Sequence, residues 1–351
     1  MELQKIYNDN NGLVRAFAES RIGGRRENQD SFGWRQTKWG YLVTVCDGMG
    51  GGPGGKTASS IAVNEILEGV SGCEQGEDIS NTIIKAVRKA NMAIIEEGNR
   101  TPSLRGMGST ATVLLIAENC AYVAHVGDSR VYQLRYRRKV FRTFDHSLVF
   151  EMVAQGVITE EQARLSAQSN VITRALGIRP DVEVEIHRVP YQRGDRFVLC
   201  TDGIHGAMPE AELVKMMSDK RPKLGVLTDD IATRIDNIGR SSGMVHDNLT
   251  IAIVETTKDS IIKPKMTRQS KLIIMVLALL LVMSIVINIV QGCSGHKSEI
   301  NAVTTDSVTT EQQESVAGTG STETSASQTV ISKTTTESGE TTTNPDKTKN
   351  K

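Results

Sequence analysis

The sequence predicts an α+β fold, a central β-sandwich of two mainly antiparallel sheets flanked by pairs of α-helices. Three observations carry that prediction. Strand-like runs follow one another across links too short to hold a crossover helix, as at Cys120–Val126, Gly127–Arg130 and Val131–Arg135. Helical patterns arrive in consecutive pairs instead of alternating with strands. Several apolar runs are bounded by an aspartate followed by a small or polar residue, at Asp47-Gly48, Asp128-Ser129, Asp202-Gly203 and Asp247-Asn248. Hairpins and paired helices suit layered antiparallel sheets better than a doubly wound parallel sheet.

In chain order, Val14–Glu19 reads as a short strand leading into a polar, glycine-punctuated segment that carries Arg25, Asn28 and Asp30. Trp39–Cys46 is the next strand, ending at Asp47 and a glycine-rich loop. Ala58–Leu67 and Ile79–Glu97 have apolar residues at helical spacing, with Asp78 or Ser80 available as a cap. Ser109–Ala117, Cys120–Val126 and Val131–Arg135 are strands rich in β-branched residues. A helical insert follows, with Ser147–Gln155 as one helix and Thr159–Arg164 as another, opened by a Thr159/Gln162 capping box. Val182–Val189 and Arg196–Cys200 are strands, Glu210–Met217 and Thr228–Ile238 helices, and Leu249–Glu255 the last strand.

The 351 residues hold 41 basic and 41 acidic side chains. That balance gives no support to a nucleic-acid partner. The five scattered cysteines form no Cys-x-x-Cys pair, which argues against structural zinc and suits a reducing compartment. Residues 272–290 (LIIMVLALLLVMSIVINIV) are a 19-residue apolar run. At 1.5 Å per residue it reaches about 28 Å, near the thickness of a bilayer's hydrocarbon core. Lys263, Lys265, Arg268 and Lys271 crowd its N-terminal side, so residues 1–258 are expected on the cytoplasmic face of the cell membrane and the tail outside. The expected organisation is a cytoplasmic domain over 1–258, a basic linker over 259–271, a transmembrane helix over 272–290, and a Thr/Ser-rich disordered tail over 291–351.

The glycine loop admits two ligands. Gly50-x4-Gly55-Lys56-Thr57 satisfies the P-loop pattern literally, after a strand and before a helix. Against a phosphate loop, Asp47 puts a carboxylate where bare amides are needed. The strand-end aspartates also recur four times, and hairpins do not supply a parallel sheet. Converging carboxylates need cations to be stable, and oxygen-only ligation selects Mg²⁺ or Mn²⁺.

The ordered motifs decide. Arg25-x-x-Asn28-Gln29-Asp30, Asp47-Gly48-Met49-Gly50-Gly51, Gly55-x-x-Ala58-Ser59, Met107-Gly108-Ser109-Thr110, Gly127-Asp128-Ser129-Arg130, Asp145-His146-Ser147, Thr173–Gly177, Thr201-Asp202-Gly203 and Asp247-Asn248 follow one another from about Phe17 to Glu255. In that order they resemble the PP2C (PPM) family of metal-dependent serine/threonine protein phosphatases in its bacterial form. The P-loop match is then a coincidence.

The resemblance implies two core Mn²⁺ or Mg²⁺ ions. Asp47 would bridge them, the Gly48 carbonyl would serve one, and Asp202 and Asp247 would complete the first ion's shell. Asp128 would serve a third, weaker ion. Arg25 would grip the substrate phosphate, and Asp30 would orient or deprotonate the attacking water. Residues 150–170 correspond to the family's flap beside the cleft. Expected partners are phosphorylated cytoplasmic proteins, a cognate Ser/Thr kinase and the membrane, with oligomeric state left open.

Two departures stand out. Gln29 replaces a common glutamate, and Gly52 stands where relatives carry a histidine. They motivate an alternative, a pseudophosphatase that binds phosphoproteins without turning them over. No cysteine has an arginine six residues downstream, which excludes the cysteine-phosphatase class.

Overall fold

A computed structural model describes residues 3–10, 12–50, 53–73, 76–243, 246–262 and 268–295. Two compact units divide at Lys271/Leu272. In the first, β1 (Leu3–Asn10), β2 (Val14–Arg21), β3 (Ser31–Thr37), β4 (Gly40–Cys46) and a two-residue β5 (Gly48–Met49) precede α1 (Pro53–Ser71) and α2 (Ile79–Arg100). Next come β6 (Gly108–Ser109), β7 (Ala111–Ala117), β8 (Ala121–Val126), β9 (Arg130–Arg135) and β10 (Arg138–Arg142). The insert holds α3 (Leu148–Ala154) and α4 (Glu160–Arg164), before β11 (Glu185–Val189) and β12 (Arg196–Cys200). A single turn, α5 (Asp202–His205), precedes α6 (Glu210–Met217), α7 (Leu224–Ser241) and β13 (Leu249–Thr256).

One sheet orders its strands β1-β2-β13-β12-β9-β10, the other β11-β8-β7-β4-β3. Every neighbouring pair is antiparallel. The alternation of β4 explains the layering. Tyr41, Val43 and Val45 point between the sheets, while Leu42 and Cys46 point at α1 and α2. β7 repeats this with Leu114 and Ile116 on one side and Val113 and Leu115 on the other. Both strands are therefore buried on two faces, which is why they read as unbroken apolar runs. A third core packs α6 and α7 on the outer face of the first sheet. Phe197 sits fully buried between the sheets. Its replacement by alanine is expected to cost about 3–5 kcal/mol, measured by denaturant unfolding.

Several elements differ from expectation. β1 and β3 lie in stretches too polar to show strand periodicity, and β10 completes a hairpin through Tyr136 and Arg137, both at positive φ. α1 starts at Pro53, five residues before its apolar pattern, because proline suits a first helical turn. The strand expected from Val182 pairs only from Glu185. Asp78 caps α2 by accepting from the Asn81 amide at 2.9 Å, and the Thr159/Gln162 capping box opens α4.

α8 runs Arg268–Gly295, all but its first four residues in the second unit. Among the described residues no helix is long and apolar enough to cross a membrane. The described side chains of α8 begin at Met275, so part of the apolar run lies outside them. The Thr/Ser-rich tail from 296 onward also lies outside the described residues, as does Gly52.

Candidate metal centre and substrate cleft

The ladders bring one set of strand ends to a single edge. Ser31 pairs with Cys46, Ala111 with Val126, and Cys200 with both Arg130 and Ile251. Asp30, Asp47, Asp128, Asp202 and Asp247 each flank one of these ends, so side chains remote in sequence meet. Asp30 joins the two sheets: its Oδ2 accepts from the Thr250 hydroxyl at 2.6 Å and the Thr201 hydroxyl at 3.0 Å. The Asp47 amide donates to Thr110 Oγ1 at 2.8 Å, and its carbonyl accepts from the Thr110 amide at 2.8 Å. Gly48 lies so close to the first turn of α1 that an added Cβ would meet the Gly55 carbonyl oxygen at 2.0 Å. Only glycine permits that approach.

The electrostatics are those of buried carboxylates that repel one another. Burial, then neighbouring Asp30, Asp202, Asp128 and Asp247, push the Asp47 carboxyl well above the usual range. Burial, followed by Asp202 and Asp145, does the same to Asp128. Asp30 is pushed up to about 7, chiefly by burial, despite its two hydroxyl donors. Asp202 is pushed up to about 6 by burial and then by Asp247. Among the described residues, Oδ1 of Asp30 and Oδ1 of Asp202 are buried without a hydrogen-bond partner. Buried carboxylate oxygens without a partner are costly in any protein, and hard divalent cations remove that cost. The donor set is all oxygen and fits Mg²⁺ or Mn²⁺.

Arg25 stands exposed at the rim and donates from Nη2 to Asp247 Oδ2 at 2.6 Å. Beside it opens a cleft of about 370 Å³, whose walls include Asp128, Asp202, Asp247 and, from the helical insert, Phe150, Arg164 and Asn170. Behind it, Arg130 holds Asp145 through two bonds of 2.8 and 2.6 Å, both side chains buried. Lys56 is neither solvated nor free for a phosphate. Its ammonium donates to the Asp30 carbonyl at 2.7 Å and the Ser31 hydroxyl at 3.0 Å, fixing the start of β3. That contact, with the antiparallel sheets, removes the P-loop reading. Gln29 is pinned through its backbone, the amide donating to Asn248 Oδ1 at 2.9 Å and the carbonyl accepting from Ser59 at 2.5 Å.

Sequence reasoning missed a second cluster. His125, His146 and Glu185 form a candidate metal-binding group, with ligand atoms within 4.8 Å of one another. The imidazoles stack at 4.5 Å between centroids. The Gly127 amide donates to His146 Nδ1 at 3.1 Å, and His146 Nε2 lies 3.2 Å from both Glu185 Oε2 and the Arg174 guanidinium. Both ring nitrogens of His146 are thus engaged, and nitrogen donors favour ions softer than Mg²⁺. His125 Nε2 lies 2.9 Å from the Phe144 carbonyl oxygen, while its Nδ1 is buried with no hydrogen-bond partner among the described residues; the all-oxygen aspartate set is the better match to hard cations. The cluster's only signal in the sequence was the Asp145-His146 pair, which needs Glu185 from a distant strand.

Similar proteins point to one family. A serine/threonine phosphatase, stp, of Listeria innocua is 33% identical over 235 residues, 66% of this chain and 91% of that protein. The solved S. agalactiae serine/threonine phosphatase is 30% identical with a TM-score of 0.62, covering 69% of this chain and 99% of the other. The catalytic domain of the serine/threonine protein phosphatase PstP, solved with two manganese ions, is 29% identical with a TM-score of 0.58, covering 70% and 99%. Residues 19–235 match the model of the protein phosphatase 2C family. With its sandwich, its strand-end carboxylates and these relatives in agreement, the chain belongs to that family of metal-dependent serine/threonine phosphatases.

Proposed function

We propose that the chain hydrolyses phosphoserine and phosphothreonine on cytoplasmic proteins, with two divalent cations held by Asp47, the Gly48 carbonyl, Asp202 and Asp247, and a third by Asp128. The observation that carries this is the convergence of five aspartates, two with orphaned oxygens, beside an exposed arginine at an open cleft. Bound there, Mn²⁺ or Mg²⁺ supplies charge neutralisation at the phosphoryl oxygens and acidifies water at neutral pH. The protein's own groups do the rest. Arg25 exchanges Asp247 for two phosphate oxygens, for which its planar fork is suited. Asp30, aimed by Thr201 and Thr250, takes a proton at Oδ1 near neutral pH, as its raised proton affinity allows. The five cysteines are not needed, and no phospho-enzyme forms.

Purified residues 1–262 with Mn²⁺ are expected to release phosphate from a phosphothreonine peptide, and chelation is expected to stop it. Peptide binding retained with no Mn²⁺-dependent turnover would replace this reading with phosphoprotein binding. Gln29, which brings no charge to the site, is the residue that would then be implicated.

The same proposal places residues 272–290 across the cell membrane with the phosphatase domain on the cytoplasmic side. Its support is the apolar run and the four cations before it. A cognate Ser/Thr kinase and its substrates are the proposed partners. Extraction of the full chain from membranes by alkaline carbonate would end the anchoring reading.

A further inference from the structure

The strands that carry the aspartates at one end carry a different surface at the other. β9 begins at Arg130, beside the cleft, and ends at Arg135, roughly 17 Å away at strand spacing. The turn there is Tyr136-Arg137, at φ 47° and 66°. Two-residue hairpins of that shape ordinarily select Asn-Gly. Here they hold Tyr136 84% exposed, with Arg137 and Arg138 beside it. A hollow of about 490 Å³ adjoins the turn, walled by Arg193, Lys220 and Arg221 and by two carboxylates, Asp195 and Asp219, which Arg135 and Arg221 respectively engage. Arg137, Arg138 and Arg193 are exposed and pair with no carboxylate among the described residues. In a chain of equal acidic and basic count this is a local excess of positive charge.

The chain leaves the domain at this same end. The Arg193 amide donates to Asp259 Oδ1 at 2.7 Å, and Ser260 Oγ is tied to the Tyr191 amide and carbonyl at 3.0 and 2.8 Å. Ile261 and Ile262, the last residues described before the linker, lie on the surface. Nine residues then precede the apolar run, a reach of at most about 30 Å when extended.

We infer that this end of the sandwich is a membrane-docking face that binds the headgroups of anionic lipids. The inference rests on the anchored, cytoplasm-facing reading above. An exposed aromatic flanked by arginines matches the polar–apolar boundary of a bilayer, and unpaired cations match its negative surface. The exit point and the short linker keep this face within reach of the bilayer. An acidic protein segment would meet the charge but would leave both the exposed tyrosine and the position of the exit unaccounted for. The docked domain holds its catalytic cleft at the far end, turned toward cytoplasmic substrates.

The test is flotation of purified residues 1–262 with lipid vesicles. The solved relatives consist of this unit alone, so it folds without the rest of the chain. It is expected to float with vesicles containing phosphatidylserine, not with phosphatidylcholine alone, and to dissociate as salt rises. Reversing Arg137, Arg138 and Arg193 to glutamate should weaken partitioning by about a hundredfold or more, at about fivefold per lost cation. Tyr136→Ser should weaken it several-fold at unchanged net charge. Both variants should retain soluble phosphatase turnover, which shows that they fold. Equal flotation with the two lipids, or a charge-reversed variant that floats like the parent, would overturn the proposal. So would retention on immobilised polyglutamate without flotation, which would identify an acidic protein as the partner. If the domain floats but the full chain is washed from membranes by carbonate, the anchor fails and the docking face stands. The reverse pattern fails the docking face alone.

Discussion

Asp47→Asn is expected to lower phosphatase turnover by at least about a thousandfold while raising the thermal stability of the metal-free domain. The two effects have one cause. Asp47 is crowded by four other aspartates, and burial with their charges pushes its carboxyl far above the ordinary range. Removing its charge relieves that repulsion when no cation is present. The same change removes the one carboxylate proposed to bridge both core ions, so charge neutralisation at the phosphoryl group is lost with it. A thermal melt in chelator should therefore show the variant above the parent. With Mn²⁺ the order should reverse, because only the parent gains binding energy from the ion. A parent that gains nothing from Mn²⁺ would sink the account.

The pH dependence of the chelated parent follows from the same groups. Asp30 and Asp202 bind protons more tightly folded than unfolded, at about 7 and about 6 against an unfolded value of 3.8. Their contribution to stability is fully present below pH 3.8 and is lost as pH rises through 6 and 7. The metal-free domain should thus lose on the order of several kcal/mol between about pH 4 and pH 7.5. For a domain of this size that is a fall of roughly 10 °C or more. Saturating Mn²⁺ should flatten the curve above neutrality. A flat curve in chelator would mean that the carboxylates are not confined together in solution.

How far the chain could be read without coordinates differs by element, for physical reasons. β4 and β7 announced themselves because burial on both faces demands an unbroken apolar run. α2 did so through its one buried stripe and its aspartate cap. β3 stayed hidden because Trp34, Arg35 and Gln36 are exposed in a row, so both faces of that stretch meet solvent and no apolar alternation appears. β10 was hidden because its outer positions are basic and its turn lacks glycine. The aspartates could be picked out as strand-end residues, but their roles came from the order of the motifs, not from spacing. Periodicity could not show that Thr201 and Thr250 aim Asp30, that Lys56 braces its backbone, or that Arg130 clamps Asp145. Each of those contacts joins residues from 15 to 220 positions apart that only the fold brings together.

Arg25→Ala is the complementary prediction, and it separates substrate binding from metal binding. The guanidinium rests on Asp247, a contact with both partners partly exposed. Such a pair contributes about 0–1 kcal/mol, so a doubly charged phosphate displaces it easily. Losing the fork should lower kcat/KM by about a hundredfold, with much of the loss in KM if the phosphate is held equally in ground and transition states. Arg25→Lys should recover only part of this, since an ammonium cannot bind two phosphate oxygens in one plane. The chelated domain provides the control. Arg25 favours the charged form of Asp202, so its removal leaves the carboxylates less compensated. Arg25→Ala should therefore melt slightly lower than the parent in chelator, whereas Asp47→Asn melts higher. With Mn²⁺ bound, the arginine variant should regain the parent's stability without regaining its activity. If both variants moved the chelated melt in the same direction, mutual repulsion among the aspartates would not be what sets the stability of this end of the sandwich.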